Sequence, residues 1–409
     1  MTEIRSLVRH LKNIAHFALA NIAIIYYGNP SKRLKIIGVT GTDGKTTTSN
    51  YIYQILTLTG KRATLISTIG FFMDGKKSLL GSHVTTPSPF ALNKYLKMAV
   101  DANVEYVVLE VSSHAIDQHR IFGIKFDVGI LTNVTKEHLD YHKNIENYLN
   151  TKIKLLTASS NVVLNSEDPF LHKIKSKVIN RNILTYSLEN NLSDLKYKDI
   201  KNEATEELTD YNKKNLMAAL LAVRILDKNI NLKINFKMLE LPEGRLQYLK
   251  KTPYSVIIDF AHTPNAFESL LPDLRSKTKG KLIHVFGSAG KRDKSKRPDM
   301  GRSSSKYSDV IILTAEDTRG ENLHKINSDI RAGMEKDFSL ISMQDISKKN
   351  LVKSVIQIDD RKKAIEFAIK SAQANDCVLI TGKGPEDSMN MGKGEIPWND
   401  IDIALKFLN

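Results

Sequence analysis

The chain has 409 residues, 41% of them hydrophobic and 26% charged, which is the length of two or three soluble domains with full cores. One cysteine, Cys377, excludes an intrachain disulfide framework and points to a reducing cytoplasm. The formal charge of +15 suits nucleic acid, an anionic membrane surface, a polyanionic substrate or simply a lysine-rich solvated surface, and by itself selects none of them.

In chain order, residues 1–28 read as an amphipathic helix. Ile4, Leu7, Val8, Leu11, Ile14, Ala15 and Leu19 fall at helical spacing, and Arg5, Arg9 and Lys12 lie on or near the other side. The expectation is a helix packed on the domain that follows; a helix lying on a membrane surface is the alternative. Nothing reads as a signal peptide, and no uninterrupted apolar run approaches the roughly 20 residues that a spanning helix needs. GNPSKR at 28–33 ends the helix.

Short β-branched runs then alternate with helical stretches. LKIIGVT (34–40), YVVLEV (106–111), FDVGILT (126–132) and NVVLN (161–165) read as strands. Their apolar runs do not alternate, as expected of strands buried on both faces of a parallel sheet. A more polar region spans about 186–210, NLMAALLAVRIL (215–226) reads as a helix, and PEGRLQ (242–247) as an inter-domain joint. SVIIDFAH (255–262), KLIHVFGS (281–288), DVIILTAED (309–317) and DCVLITGKG (376–384) form a second strand series. Each strand ends in polar or glycine-containing sequence, and open α/β sheets bind ligands at their carboxyl edges. The expectation is therefore an α/β chain in three parts. These are a helix and linker (1–33), a P-loop-type, mostly parallel sheet domain (34–239), and a Rossmann-like α/β domain (240–409).

The chemistry starts at GTDGKTT (41–47). Between a strand and a helix, the backbone of Gly41, Thr42, Asp43, Gly44, Lys45, Thr46 and Thr47 can cradle phosphate. Lys45 would reach the β- and γ-phosphates and Thr46 would place its hydroxyl on Mg²⁺. The common spacing would put glycine at position 39, which is Val39. Glu110 closes a buried apolar run, where a carboxylate is costly unless it is paired or binds metal. A Mg²⁺ ligand is one account and a salt bridge the other. His138 and His142 stand at i, i+4, a spacing that could hold zinc. With no cysteine nearby, His138 reads as part of the nucleotide–metal site and His142 as a packing or surface residue.

GTDGKTTT, TTPSPF, EVSSHAIDQHR, TNVTKEHLDYH, NLMAALLA, PEGRLQ, DFAHTPNA, FGSAGKRDKSKRP and ITGKGPED occur in one continuous order over roughly 34–400. In this the chain resembles the Mur ligase family, and within it the branch that adds the third amino acid of the peptidoglycan stem peptide. The resemblance implies ATP-driven activation of a peptide carboxylate as an acyl phosphate, then attack by an amine. The implied partners are a UDP-muramoyl dipeptide and a free amino acid, diaminopimelate or lysine; no nucleic acid is expected. By resemblance, Lys45, Glu110, His138 and Lys152 are catalytic. Thr46, Glu110 and His138 serve the metal, joined by Lys152 if it is carbamylated. Asn215, Arg245 and Asp259 contact the nucleotide; Thr85, Thr86, Ser112, Gln118 and Arg120 hold the muramoyl peptide; Arg292, Arg319, Gly382 and Glu386 meet the incoming amino acid.

Two departures stand out against the family pattern. Its usual Asp-Asn-Pro-Arg is here Glu316-Asp317-Thr318-Arg319, and Pro385 replaces histidine in GKGPE. The family's N-terminal uridine-diphosphate-binding domain of roughly 90–100 residues, the size of a small domain, does not fit in the 40 residues before Gly41. The UDP handle is therefore expected to be held differently, supplied by another chain, or absent. Competing readings are a folylpolyglutamate-type ligase with another acceptor, a catalytically silent ATP-binding scaffold, and a basic nucleotide-dependent nucleic-acid binder. The last is weakened by an aromatic content of only 7%, not interleaved with basic clusters.

Overall fold

A computed structural model describes residues 2–78, 85–189, 192–228, 230, 235–342 and 351–408, with side chains from residue 12 onward. The chain divides into two compact units: Met1–Thr135 with His142–Pro242, and Lys136–Tyr141 with Glu243–Asn409. It is an α/β protein with one large, mostly parallel sheet in each unit.

In the first unit the strands are β1 (Lys35–Thr40), β2 (Ala63–Ser67), β3 (Gly70–Met73), β4 (Lys76–Ser78), β5 (Tyr106–Glu110), β6 (Phe126–Leu131), β7 (Ser159–Asn165), β8 (Asn182–Ser187) and β9 (Leu195–Lys196). Their order across the sheet is β4-β3-β2-β5-β1-β6-β7-β8-β9, parallel from β2 to β9, with β3 and β4 added antiparallel. The central strands are buried along nearly their whole length, which is why their sequences show apolar runs and not alternation. Helix Lys45–Leu58 and the alanine-rich helix Asp210–Leu226 pack together on one face. Their buried Ile52, Ile55, Leu216 and Leu220 share one core with Val39 and Val108. The region around 186–210 is ordered by a few anchors. Tyr186, Leu195 and Thr205 are buried, and Asn202 caps helix Glu203–Glu206.

The N-terminal helix Thr2–Tyr26 forms, but with a different face inward from the one expected. Ala20 and Ala23 are buried, while Ile14, Ala15 and Leu19, three members of the predicted packing stripe, face solvent. The helix packs on helix Pro89–Asp101, small residues such as Ala20 and Ala23 suit a closely packed inward face, and Asn13 donates to the Asp117 carbonyl at 3.0 Å. The side chains of Ile4, Leu7, Val8 and Leu11 lie outside the described residues.

The second unit holds β10 (Gln247–Lys250), β11 (Ser255–Asp259), β12 (Leu282–Phe286), β13 (Val310–Leu313), β14 (Ser339–Ile341), β15 (Ser354–Gln357) and β16 (Cys377–Thr381), with a small ribbon of β17 (Ser388–Asn390) and β18 (Glu395–Pro397). The main order is β10-β11-β16-β12-β13-β15-β14; only β10 runs antiparallel to its neighbour. Inserting β16 between β11 and β12 brings the ends of four strands to one edge, where ligands bind in open sheets of this kind. Cys377 is buried in β16.

Candidate active site

In the first unit the site grows from the end of β1. Gly41 has φ 154° and Gly44 φ 82°, and both are also pressed by neighbours. A Cβ on Gly41 would lie 1.8 Å from the Thr132 hydroxyl, and one on Gly44 would lie 2.3 Å from Asn215 Oδ1. The loop between them is held from the end of β6. Thr132 Oγ1 donates to the Asp43 carbonyl at 2.7 Å, the Thr42 amide donates to the Asn133 carbonyl at 2.9 Å, and the Asp43 amide donates to Asn133 Oδ1 at 2.9 Å. Helix Lys45–Leu58 then starts on Gly44 with no side-chain cap. Its first-turn amides and positive dipole end suit an anion. Lys45 Nζ donates to the carbonyls of Gly41 (3.2 Å) and Thr42 (2.7 Å).

Glu110, at the carboxyl end of β5, is buried. Among the described residues no lysine or arginine forms an ion pair with it; hydroxyls and an amide bond it instead. Thr46 Oγ1 donates to Oε1 at 3.0 Å, and the Thr68 amide and hydroxyl donate at 3.0 and 3.2 Å. The proposed substrate-binding residues gather at the same strand end. Thr68 and Thr85 hydroxyls are 3.1 Å apart, Thr86 Oγ1 donates to the Glu110 carbonyl at 2.9 Å and accepts from the Ser112 amide at 3.1 Å, and Arg120 donates to the Thr86 carbonyl at 2.8 Å. Gln118 accepts from Arg120, and Ser112 Oγ caps helix Ser113–Asp117.

Lys152 is almost fully buried on helix Ile145–Thr157. Its ammonium donates to the Gly41 carbonyl at 2.5 Å and lies 4.3 Å from the Tyr148 ring centre. Asn215 accepts from the Thr48 hydroxyl at 3.3 Å. Thr47 is buried in the first turn. His142 is buried against Ser113 and Tyr148, in line with a packing role. Among the described residues no group of three or more His, Cys, Asp or Glu is placed to hold a metal ion.

His138 belongs to the second unit with the rest of Lys136–Tyr141, so it is not gathered with Glu110 in one unit. Beside it stands a pair that the sequence reading passed over. His262 Nε2 is 3.0 Å from Glu137 Oε1, and its Nδ1 is 2.9 Å from the Phe260 carbonyl. Two acceptors on two ring nitrogens call for the doubly protonated imidazolium. Burial opposes that charge, but the hydrogen bond and charge of Glu137 outweigh it, so the pKa of His262 is raised. Burial likewise opposes the Glu137 anion, but His138, His262 and Lys296 hold its pKa well below the ordinary value.

The sign of the pH effect follows. The histidine contributes stability in full below its unfolded value of 6.5 and loses it as pH rises through the raised folded value. The glutamate contributes in full above its unfolded 4.5 and loses it as pH falls through the depressed one. His262→Gln should therefore cost about 1–3 kcal/mol, most between about pH 4.5 and 6.5 and less on either side. Denaturant titrations of both proteins across pH measure it; a pH-independent difference would contradict the charged pair.

The second unit's other predicted residues sit at its strand ends. Asp259 closes β11 and accepts the amides of Leu246 and Ala261, both at 2.7 Å; burial raises its pKa despite Arg245 nearby. The Arg245 guanidinium lies 4.3 Å from the Phe260 ring centre. Arg319 donates to Asp317 Oδ2 at 2.8 Å, leaving its Nη1 buried without a partner among the described residues. Arg292 is exposed, and partial desolvation together with the Arg319 charge depresses its pKa. Gly382 has φ 108°, and a Cβ there would lie 3.0 Å from Glu316 Oε2, itself buried without a hydrogen-bond partner among the described residues. Sequence reading also missed Lys383, whose buried ammonium bonds Asp317 Oδ1 (3.0 Å) and Glu386 Oε2 (2.5 Å). Burial raises the pKa of Glu386 even so. The GKGPE motif was the available signal for Lys383, but only folding shows the lysine turned inward.

Comparisons with known proteins place the chain in a family. Residues 39–228 match the Mur ligase middle domain, and residues 244–384 match the Mur ligase, glutamate ligase domain. The chain is 38% identical over 412 residues to UDP-N-acetylmuramoyl-L-alanyl-D-glutamate--2,6-diaminopimelate ligase of Clostridium botulinum (strain ATCC 19397 / Type A), covering 96% of this chain and 81% of that one. It is 36% identical over 414 residues to UDP-N-acetylmuramyl-tripeptide synthetase of Borreliella afzelii (strain PKo), covering 94% and 79%. A solved UDP-N-acetylmuramoyl-L-alanyl-D-glutamate--2,6-diaminopimelate ligase superimposes with TM-score 0.56 at 26% identity, covering 92% of this chain and 78% of that one. The chain belongs to the Mur ligase family of ATP-dependent amide ligases, carrying its middle and C-terminal domains in order.

Proposed function

We propose that this ligase joins 2,6-diaminopimelate to UDP-N-acetylmuramoyl-L-alanyl-D-glutamate, at the cost of ATP, in the cytoplasmic assembly of a peptidoglycan precursor. The observation that carries the reading is the buried Glu110 carboxylate, hydrogen-bonded to the Thr46 hydroxyl at the head of an uncapped helix. Among the described residues its carboxylate is bonded by hydroxyls and one amide and by no cation, and a hard divalent cation would supply the neutralising charge. Mg²⁺ fits these all-oxygen donors: Thr46 and Glu110 would hold it, and it would offset phosphate charge.

The loop amides and Lys45 bind the triphosphate and draw negative charge from the γ-phosphoryl group as the peptide carboxylate attacks it. The products of that step are ADP and an acyl phosphate. The incoming amine then attacks the acyl carbon, an amide forms, and inorganic phosphate leaves with the C–O electron pair. Thr85, Thr86, Ser112, Gln118 and Arg120 position the muramoyl peptide, with Arg120 supplying a cation for its carboxylates. Asn215, Arg245 and Asp259 serve the nucleotide; Arg292, Arg319, Gly382 and Glu386 receive the amino acid. His138 and Lys152 keep their proposed catalytic roles, Lys152 as the carbamylation site.

The test is a panel of amines offered with the UDP-muramoyl dipeptide and ATP, following phosphate release. Diaminopimelate should support turnover that needs both acceptor and amine. Release that ignores the dipeptide, or is equalled by a folate acceptor with glutamate, would overturn the reading. A preference for lysine would keep the ligase chemistry and correct the amino acid.

A further inference from the structure

The first unit exposes an apolar surface that the ligase chemistry does not use. On helix Thr2–Tyr26, Ile14 is 54% exposed, Leu19 44%, Ile22 54%, Ile25 80% and Tyr26 73%. Projected at about 100° per residue, these fall within one arc of about 140° that also takes in Ala15 and Ala18 and includes no polar residue between Asn13 and Tyr27. The opposite face, Ala20 and Ala23, is buried. On the far side of Asn21 the Phe17 ring meets the partly exposed Phe122 at 4.5 Å. Soluble proteins rarely leave so continuous an apolar face unpartnered.

Charge indicates what covers it. Between Glu3 and Asp43 the sequence has no acidic residue, while Arg5, Arg9, Lys12, Lys32 and Arg33 all lie in that interval. Lys12, Lys32 and Arg33 are exposed, and Lys12 borders the apolar arc. A second copy docking through this face would bring two acid-free cationic segments together. An anionic surface meets them with opposite charge, reinforced by the net +15 of the chain. The terminal tyrosine is also the residue type that favours a water–lipid boundary. No helix among the described residues is long and apolar enough to cross a membrane, so the helix would lie in the surface plane.

We propose that helix Thr2–Tyr26 docks this ligase on an anionic lipid surface, its Ile14–Ile22–Ile25 face entering the acyl boundary and Lys12 at the edge of that face meeting the headgroups. The proposal does not depend on which amino acid is ligated. The full chain should co-sediment with phosphatidylcholine vesicles containing phosphatidylglycerol, far less with phosphatidylcholine alone, and binding should weaken as salt rises. Ile22→Glu with Ile25→Glu should reduce binding by about tenfold or more, with circular dichroism and phosphate release unchanged. Ile14→Gln with Leu19→Gln, a gentler pair, should reduce it too. Wild-type protein left in the supernatant of anionic vesicles would overturn the proposal. So would binding untouched by both double variants, or self-association in sedimentation velocity that the double variants abolish without any vesicle binding.

Discussion

Lys45→Ala should lower phosphate release at least about a thousandfold while leaving the melting temperature nearly unchanged. The lysine opens helix Lys45–Leu58 and its ammonium rests on two loop carbonyls, at 3.2 and 2.7 Å. Among the described residues its hydrogen bonds are to those two carbonyls, so the truncation chiefly removes charge at the proposed phosphate cradle. Carbonyl contacts are weak compared with those to a phosphoryl oxygen, so the ammonium can move to the triphosphate without a large opposing cost. Because charge builds on the γ-phosphoryl oxygens during transfer, most of the loss should appear in kcat, with a smaller rise in the KM for ATP. Lys45→Arg should recover only part, since a planar fork does not match a point-charge position. Turnover within tenfold of wild type in the alanine variant would count decisively against the loop as the phosphate site.

Arg361→Leu should destabilise the second unit by about 3–5 kcal/mol, read as a large fall in its melting temperature. Arg361 and Asp400 are both completely buried, joined by a bidentate pair at 2.8 and 2.5 Å. Burial disfavours the guanidinium charge, yet Asp400 overcomes it and the pKa of Arg361 is raised. Removing the arginine strands a carboxylate in the core, with the Trp398 indole N–H, at 2.8 Å, and its helix N-terminus left beside it. The same guanidinium also donates to the carbonyls of Ala315 (3.3 Å) and Thr381 (2.8 Å). Those carbonyls immediately precede Glu316 and Gly382, so the pair pins two of the loops that carry the proposed amino-acid site. Activity of the variant should therefore fall below that of wild type even at temperatures where it remains folded. Arg361→Leu with Asp400→Leu should recover much of the stability but not the activity. If the double variant were as unstable as the single one, the stranded charge would not be the cause.

Much of the site was legible because chemistry and local structure coincide along the chain. GTDGKTT needs only its flanking strand and helix to read as a phosphate cradle, and Glu110 announces itself as the acid that ends an apolar run. Strands buried on both faces were legible for the same reason: β1, β5, β6, β12, β13 and β16 are predominantly apolar segments without alternation. Strands β2, β8 and β15 were harder. ATLIS, NILTYS and SVIQ are short and mix hydroxyl with apolar residues, and their identity as strands rests on the neighbours they pair with. The Glu137–His262 pair joins residues 125 apart, a separation at which no periodicity or spacing carries information.

The N-terminal helix shows the division most plainly. Hydrophobic period alone determined that residues 2–26 form an amphipathic helix, because a helix's own hydrogen bonds and face are local properties. Which face turns inward was decided by tertiary packing: Ala20 and Ala23 are buried, while the bulkier Ile14 and Leu19 are left in solvent. The same holds for the cradle. Glycine at 41 and 44 is written in the sequence, but the reason for it is Thr132 and Asn215 pressing from elements far along the chain. Composition and order determined the family and the kind of chemistry. Partners, protonation and the exposed apolar face were decided only when distant segments were packed together, since burial and contact are properties of the assembled fold.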